Sequence, residues 1–170
     1  TSQFDLSISS ELRAEDTPTN SGISADIPSL RAYYQHDALA ARITAQARLD
    51  ETDLSTLSLL VDPVTGEIST VEDPGRRRAF SLGTTVAGGL GGPLETSLGV
   101  TRSGTRYVDT ISPSYYDTDS LRLTASAKAV LTPLVTMTTS LGYTDYQAQD
   151  ANSTRRETTT AQVSFDMTLD

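Results

Sequence analysis

From Thr158 to Asp170, apolar and polar residues alternate without a break: Ala161, Val163, Phe165, Met167 and Leu169 against Thr160, Gln162, Ser164, Asp166 and Thr168. A period of two is the pattern of a β-strand with one apolar and one polar face. It recurs at the start of the chain, where Phe4, Leu6, Ile8, Leu12 and Ala14 alternate with Asp5, Ser7, Ser9, Glu11, Arg13 and Glu15. It recurs again with Ala41, Ile43, Ala45, Ala47 and Leu49, and with Leu121, Leu123, Ala125, Ala127 and Ala129. A helix is the rival for the alanine-rich stretch 39–50, but a helix needs apolar residues three and four apart. The pattern predicts eight strands, over about 4–15, 29–35, 39–50, 78–87, 94–107, 121–129, 135–143 and 158–170. Several match the roughly 9–11 residues with which a tilted strand crosses a bilayer.

The predicted connections alternate in length. Turn-rich loops cover 17–28, 51–75 (with a turn at Asp62-Pro63-Val64-Thr65-Gly66), 111–118 and 149–157. Short turns fall at His36-Asp37, Gly88 to Pro93 and Leu131 to Leu134. Long loops at one end and short turns at the other are the asymmetry of outer-membrane barrels. An even strand count fits closure, which removes the adhesive edges of an open sheet. The predicted fold is one all-β domain over residues 1–170, an antiparallel up-and-down transmembrane β-barrel of about eight strands or a segment of a larger barrel.

Composition sharpens this picture. The chain has no Trp, no Cys, three Phe and two Met in 170 residues, few large side chains with which to fill a soluble β-sandwich. Small outward residues suffice where lipid fills the space. A net charge of −9 lacks the basic footprint that nucleic acid requires. No apolar run reaches the roughly 18 residues of a transmembrane helix.

Leu121-Arg122-Leu123-Thr124-Ala125-Ser126-Ala127, Leu131-Thr132-Pro133 and Ser140-Leu141-Gly142-Tyr143-Thr144-Asp145-Tyr146 resemble segments of Gram-negative outer-membrane β-barrel proteins. Ser153-Thr154-Arg155-Arg156-Glu157-Thr158-Thr159 resembles loop-to-strand junctions in alphaproteobacterial barrels of uncharacterised function. The resemblance implies location in the bacterial outer membrane. It also implies contact with lipid and lipopolysaccharide, and assembly by the barrel-assembly machinery. It brings no cofactor and no catalytic residue. Such barrels end on an aromatic residue, and Met167-Thr168-Leu169-Asp170 departs from that. The expectation is either a segment of a larger barrel or an atypical assembly signal.

Two sets of residues follow from the alternation. Asp5, Glu11, Arg13, Glu15, Arg31, Arg42, Arg48, Glu95, Arg122, Lys128 and Asp166 are predicted to face the lumen. Closure at eight strands favours a salt-bridged plug there, because side chains fill so narrow an interior. A larger barrel favours a charged pore lining. Arg76, Arg77, Arg78, Arg102, Arg106, Arg155 and Arg156 fall near the long-loop ends of strands. Their planar forks suit the phosphates of lipopolysaccharide, against the plainer reading of solvated charge beside an apolar band. Tyr33, Tyr34, Tyr107, Tyr143 and Tyr146 lie near strand ends, where amphipathic rings favour an interface; Tyr115 and Tyr116 read as loop residues.

Catalytic signals are poor. The single histidine, His36, lies beside Asp37 at a short turn, the wrong end for the catalytic histidine of outer-membrane proteases and acyltransferases. Gly88 to Gly92 lacks the strand-loop-helix setting of a phosphate loop. Asp50, Glu51, Asp53, Asp62, Glu67, Glu72 and Asp73 could hold a divalent cation but read as dispersed loop charge, as do Asp117 and Asp119. Asn152-Ser153-Thr154 is a chance-level glycosylation match. The expected function is a non-enzymatic outer-membrane barrel that anchors and displays its loops. The alternatives are a porin-like passive channel and a soluble β-sandwich binding or adhesin module.

Overall fold

The computed structural model describes residues 1–17, 20–54, 58–61, 68–71 and 75–167. Ten strands follow one another: β1 (Ser2–Thr17), β2 (Asn20–Asp37), β3 (Ala41–Asp53), β4 (Ser58–Val61), β5 (Ile68–Val71), β6 (Arg76–Gly88), β7 (Leu94–Val108), β8 (Thr118–Thr132), β9 (Val135–Ala148) and β10 (Arg155–Met167). Eight of them form one antiparallel up-and-down sheet in the order β1-β2-β3-β6-β7-β8-β9-β10. Among the described residues β4 and β5 pair only with each other, antiparallel, between β3 and β6 in the chain. Among the described residues there is no helix.

The all-β, eight-stranded meander is the predicted one. Among the described residues no ladder joins β1 to β10. The predicted loop 17–28 differs. β1 and β2 continue as a paired ribbon, with Glu11 opposite Asp26 and Thr17 opposite Asn20. The register shifts between Ser9 and Glu11, opposite Ile27-Pro28. A bulge is where a strand tolerates a proline without an amide hydrogen. β2 runs on through His36 and Asp37, and the turn falls at 38–40, leaving Leu39 fully exposed rather than in β3. β10 begins at Arg155, inside the predicted loop, because 155–157 pair with Gln147, Tyr146 and Asp145.

Hydrogen bonds stitch the short-turn end together. Leu90 N donates to Ala40 O at 3.0 Å, and Val130 N to Pro93 O at 2.8 Å. The N-terminal ammonium donates to Asp37 O at 2.8 Å.

The alternation sorts side chains onto two faces, and among the described residues neither is covered by a second layer. Leu54 is the one fully buried side chain among the described residues. Phe4, Leu98 and Phe165 remain 64–65% exposed, so the apolar side chains form a face rather than a core.

That apolar face has a slope. On β1 its described run is Phe4, Leu6 and Ile8, centred on Leu6. The cross-strand row through Leu6 passes Ala32, Ala47, Leu82, Arg102, Leu121 and Asp145, and reaches β10 at Glu157. Yet the apolar run of β10, Ala161 to Met167, is centred at the level of Ser164, seven residues beyond Glu157. Seven residues at about 3.4 Å give about 24 Å along the strand, and seven strand steps at about 4.8 Å give about 34 Å across it. The apolar band therefore crosses the rows at about 35°. Along β3 it spans Ala41 to Leu49, and along β8 Leu121 to Ala129. Each span is eight residue steps, or about 27 Å.

Candidate functional site: the two faces of the sheet

The polar face is built from strand parity. Its middle is small: Ser81, Gly83 and Thr85 on β6, Ser97, Gly99 and Thr101 on β7, and Thr124 and Ser126 on β8 occupy adjoining rows. Ser97 and Ser126 are direct cross-strand partners with their Oγ atoms 2.8 Å apart. Asp5, Arg31, Arg42, Arg48, Glu95, Arg122, Lys128 and Asp166 all lie on this face, as the alternation predicts. Glu11, Arg13 and Glu15 belong to the ribbon beyond the bulge, and their side chains lie outside the described residues.

Among the described residues, two of these arginines are paired with carboxylates on the same face. Arg42 Nε donates to Asp37 Oδ1 at 2.5 Å, and Arg48 pairs with Asp50. Glu95 and Lys128 are direct cross-strand neighbours, an arrangement that favours opposite charges. Arg31, Arg122 and Asp166 make no ion pair among the described residues. The pairing carboxylates, Asp37 and Asp50, were not among the predicted lumen residues. Their parity with Arg31 and Arg48 is the signal that identifies them. A hydrogen-bonded chain runs down β2, from Tyr33 Oη to Gln35 Oε1 at 2.5 Å and from Gln35 Nε2 to Asp37 Oδ2 at 2.7 Å.

The seven arginines of the predicted lipopolysaccharide collar divide between the faces. Arg76, Arg78, Arg102, Arg106 and Arg155 share the apolar face, along its long-loop border. Arg77 and Arg156 point to the polar face, because each alternates with its neighbour. The five on the apolar side are each matched by a carboxylate. Glu51 accepts from Arg76 Nη1 at 3.1 Å and from Arg78 Nε at 2.8 Å. Asp119 pairs with Arg106 and lies 3.5 Å from Arg102 Nη2. Arg155 bridges Asp145 at 3.0 Å and Glu157 at 2.9 Å. The border is thus a belt of ion pairs rather than a ring of free guanidinium groups.

Aromatic rings mark the same borders. Phe80 lies in the row of Leu49 and Gly104, with the Arg106 guanidinium carbon 5.9 Å from its ring centre. Tyr34 and Tyr143 are on the apolar face, whereas Tyr33, Tyr107 and Tyr146 are on the polar one. Tyr107 stacks on the loop residue Tyr115, with ring centres 4.9 Å apart.

His36 is a strand residue whose Nδ1 lies 2.8 Å from Ser2 Oγ. Of the candidate cation ligands, Asp50 and Glu51 are held by arginines, and Asp62, Glu67, Glu72 and Asp73 lie outside the described residues. Among the described residues no three of His, Asp or Glu converge on a point. Near the glycosylation-like tripeptide, Asp150 accepts from Thr154 N at 2.8 Å and Thr154 Oγ1 at 2.6 Å, closing the β9–β10 loop. Comparison with known protein families, with curated proteins and with solved structures finds no match.

Proposed function

We propose that this chain forms the wall of a bacterial outer-membrane β-barrel, with its apolar band against lipid and its polar face lining a water-filled lumen. The observation that carries this reading is the slope of the apolar band. A band parallel to the membrane must cross the rows of a tilted sheet at the tilt angle, and transmembrane barrels tilt their strands by about 35–45°. The slope here is about 35°. A run of about 27 Å at that tilt rises about 22 Å along the membrane normal, close to the roughly 25 Å apolar band of such barrels. A soluble sandwich would set a second sheet about 10 Å from that face, and the apolar rows meet none among the described residues.

The function this wall supports best is passive passage of small hydrophilic solutes. Hydroxyls and glycines line the middle of the polar face, and Arg31, Arg122 and Lys128 stay exposed on it. An interior closed at eight strands would be packed with side chains. Anchoring with display of the loops is the alternative, and it is the one a sealed lumen would serve. Neither role uses a catalytic residue, and lipid and the barrel-assembly machinery are the partners both imply.

Planar-bilayer recording of the refolded protein is the test. Stable unitary steps are expected; a refolded, detergent-dependent, heat-modifiable protein without steps would leave the anchor. A protein that stays monomeric in water without detergent would overturn the membrane reading itself.

A further inference from the structure

We infer that the polar face of β2, β3 and β6 holds an oxyanion station, with Arg31, Arg48 and Arg77 positioned to bind a carboxylate or phosphate passing along the wall. The inference rests on the lumen reading above and names the solute chemistry that this part of the wall favours. Arg31 and Arg48 are direct cross-strand partners. Like charges so placed repel, and only Arg48 has a carboxylate, Asp50. Arg31 has no ion pair among the described residues. Arg77 has none either, and its Nε is buried without a hydrogen-bond partner.

Two grooves join these arginines. One, of about 450 Å³, is lined by Arg31, Arg48, Tyr33, Gln46, Asp5 and Ser81. The second, of about 600 Å³, is lined by Arg48, Arg77, Asp50 and again Ser81. Arg48 and Ser81 belong to both, so the grooves adjoin along the β3–β6 ladder, where those two residues are direct partners.

The acids nearby are already engaged. Asp50 holds Arg48, and Asp37 is taken by Arg42 and by Gln35. Asp5 accepts the Gln3 side-chain amide at 2.7 Å. Among the described residues no carboxylate pairs with Arg31 or Arg77. The cluster is not a by-product of a basic chain, since the protein carries a net charge of −9. On the polar face, by contrast, the residues whose side chains are described bring Arg31, Arg42, Arg48, Arg77, Arg122, Lys128 and Arg156 against Asp5, Asp37, Asp50, Glu95 and Asp166, seven cations to five anions. Planar guanidinium forks suit an oxyanion that can take two parallel hydrogen bonds. Beside the grooves, the middle of the wall offers the hydroxyls of Ser97, Thr101, Thr124 and Ser126.

Isothermal titration of the detergent-solubilised full chain with inorganic phosphate, and separately with acetate, tests this without requiring conduction. Saturable binding is expected, weakened about a hundredfold in Arg31→Gln/Arg77→Gln, since each of the two lost charge-assisted contacts is worth about one decade. Arg122→Gln, on the same face but outside both grooves, should bind like the parent. Heat-modifiable migration reports that each variant has folded. No saturable binding, or equal binding by parent and double variant, would overturn the station. Unitary conductance with no phosphate binding would remove the station and leave the lumen reading standing. Binding without conductance would keep the station and remove passage.

Discussion

Tyr34 and Tyr143 lie in one cross-strand row, through Ala45, Thr84, Val100 and Leu123, yet they sit at opposite borders of the apolar band. On β2 the apolar run is Leu30, Ala32 and Tyr34, and the next residue on that face is His36 at the short-turn end. On β9 the run is Val135 to Tyr143, and the next residue is Asp145 at the long-loop end. Between the two strands the band has descended relative to the rows. The same row therefore meets its lower edge on one side of the sheet and its upper edge on the other.

Depth in the membrane should follow the band and not the row. The chain has no tryptophan, so Tyr34→Trp, Tyr143→Trp and Leu98→Trp are single-reporter variants. In vesicles with brominated lipids, the indole introduced by Leu98→Trp should be quenched at depth and the other two near the interface. With the protein inserted in one orientation, a membrane-impermeant quencher should reach position 143 from one side and position 34 from the other. Equal depth for all three, or access to both from one side, would count against a tilted transmembrane band.

On the proposed membrane reading, a charge should be costly only on the apolar side of a strand. Leu98 is in the middle of the β7 apolar run, and Ser97 beside it faces Ser126 on the polar side. Leu98→Lys is expected to destabilise the inserted protein by about 2–4 kcal/mol, and Ser97→Lys by less than about 1 kcal/mol, because the proposed lumen would be water-filled. Reversible urea unfolding in lipid vesicles measures both. Comparable losses would mean that the two faces see the same solvent.

The faces were legible in the sequence; the register was not. Parity alone places Arg102 on the side of Leu98 and Val100, and separates Arg77 from Arg76 and Arg78. Reading the arginines by distance from the loops merged the two sets. The pairs Glu51–Arg78 and Asp119–Arg106 connect residues 27 and 13 apart. Only the alignment of neighbouring strands brings them together, and no local preference encodes it. The ribbon past Ser9 was hidden for a different reason. Residues 20–28 carry Asn, Ser, Gly and Pro, whose local preferences read as a loop, and main-chain pairing overrides them. The slope of the band needs register on every strand, so a list of alternating segments could not show it.

The short turn between β6 and β7 should respond unequally at two glycines. Gly89 and Gly91 both have positive φ, +73° and +76°. A Cβ on Gly91 would meet nothing within 4 Å, whereas one on Gly89 would lie 2.0 Å from Leu94 O. Gly91→Ala should therefore cost only the left-handed strain, about 1–2 kcal/mol. Gly89→Ala adds a backbone clash, and should cost roughly 1–3 kcal/mol more. Equal losses in unfolding experiments would show that the turn rearranges freely.

The β9–β10 loop should loosen in acid. The Thr154 hydroxyl and then the Thr154 amide hold the Asp150 carboxyl below its ordinary range. A group whose folded value is depressed contributes order above its unfolded value, about 3.9, and loses it as pH falls through the folded value. The Thr154 amide resonance should stay constant from neutral pH down to about 4 and shift only below that. Asp150→Asn should abolish the transition. A midpoint at or above the ordinary aspartate value would contradict the hydrogen-bonded geometry.

Within the ion-pair belt, Asp119 should be coupled more strongly to Arg106 than to Arg102. Both arginines approach the same carboxylate, but their settings differ. Arg106 also donates to Thr118 O at 2.8 Å and to Thr105 O at 3.1 Å, and it lies over Phe80. Its side chain is therefore already ordered before the carboxylate is counted. The Arg102 side chain is 65% exposed and reaches up from the row of Leu82 and Leu121 to an oxygen 3.5 Å away. The entropy cost of holding a long side chain offsets most of the gain of an exposed pair, and only Arg106 has that cost covered by other contacts. A double-mutant cycle of Asp119→Asn with Arg106→Gln should give a coupling of about 1 kcal/mol, and with Arg102→Gln less than about 0.5 kcal/mol. Raising the salt concentration should reduce the second coupling further and the first less, since screening acts most on exposed charge. Equal couplings, or a larger one to Arg102, would show that the other contacts of Arg106 do not strengthen its pairing with Asp119.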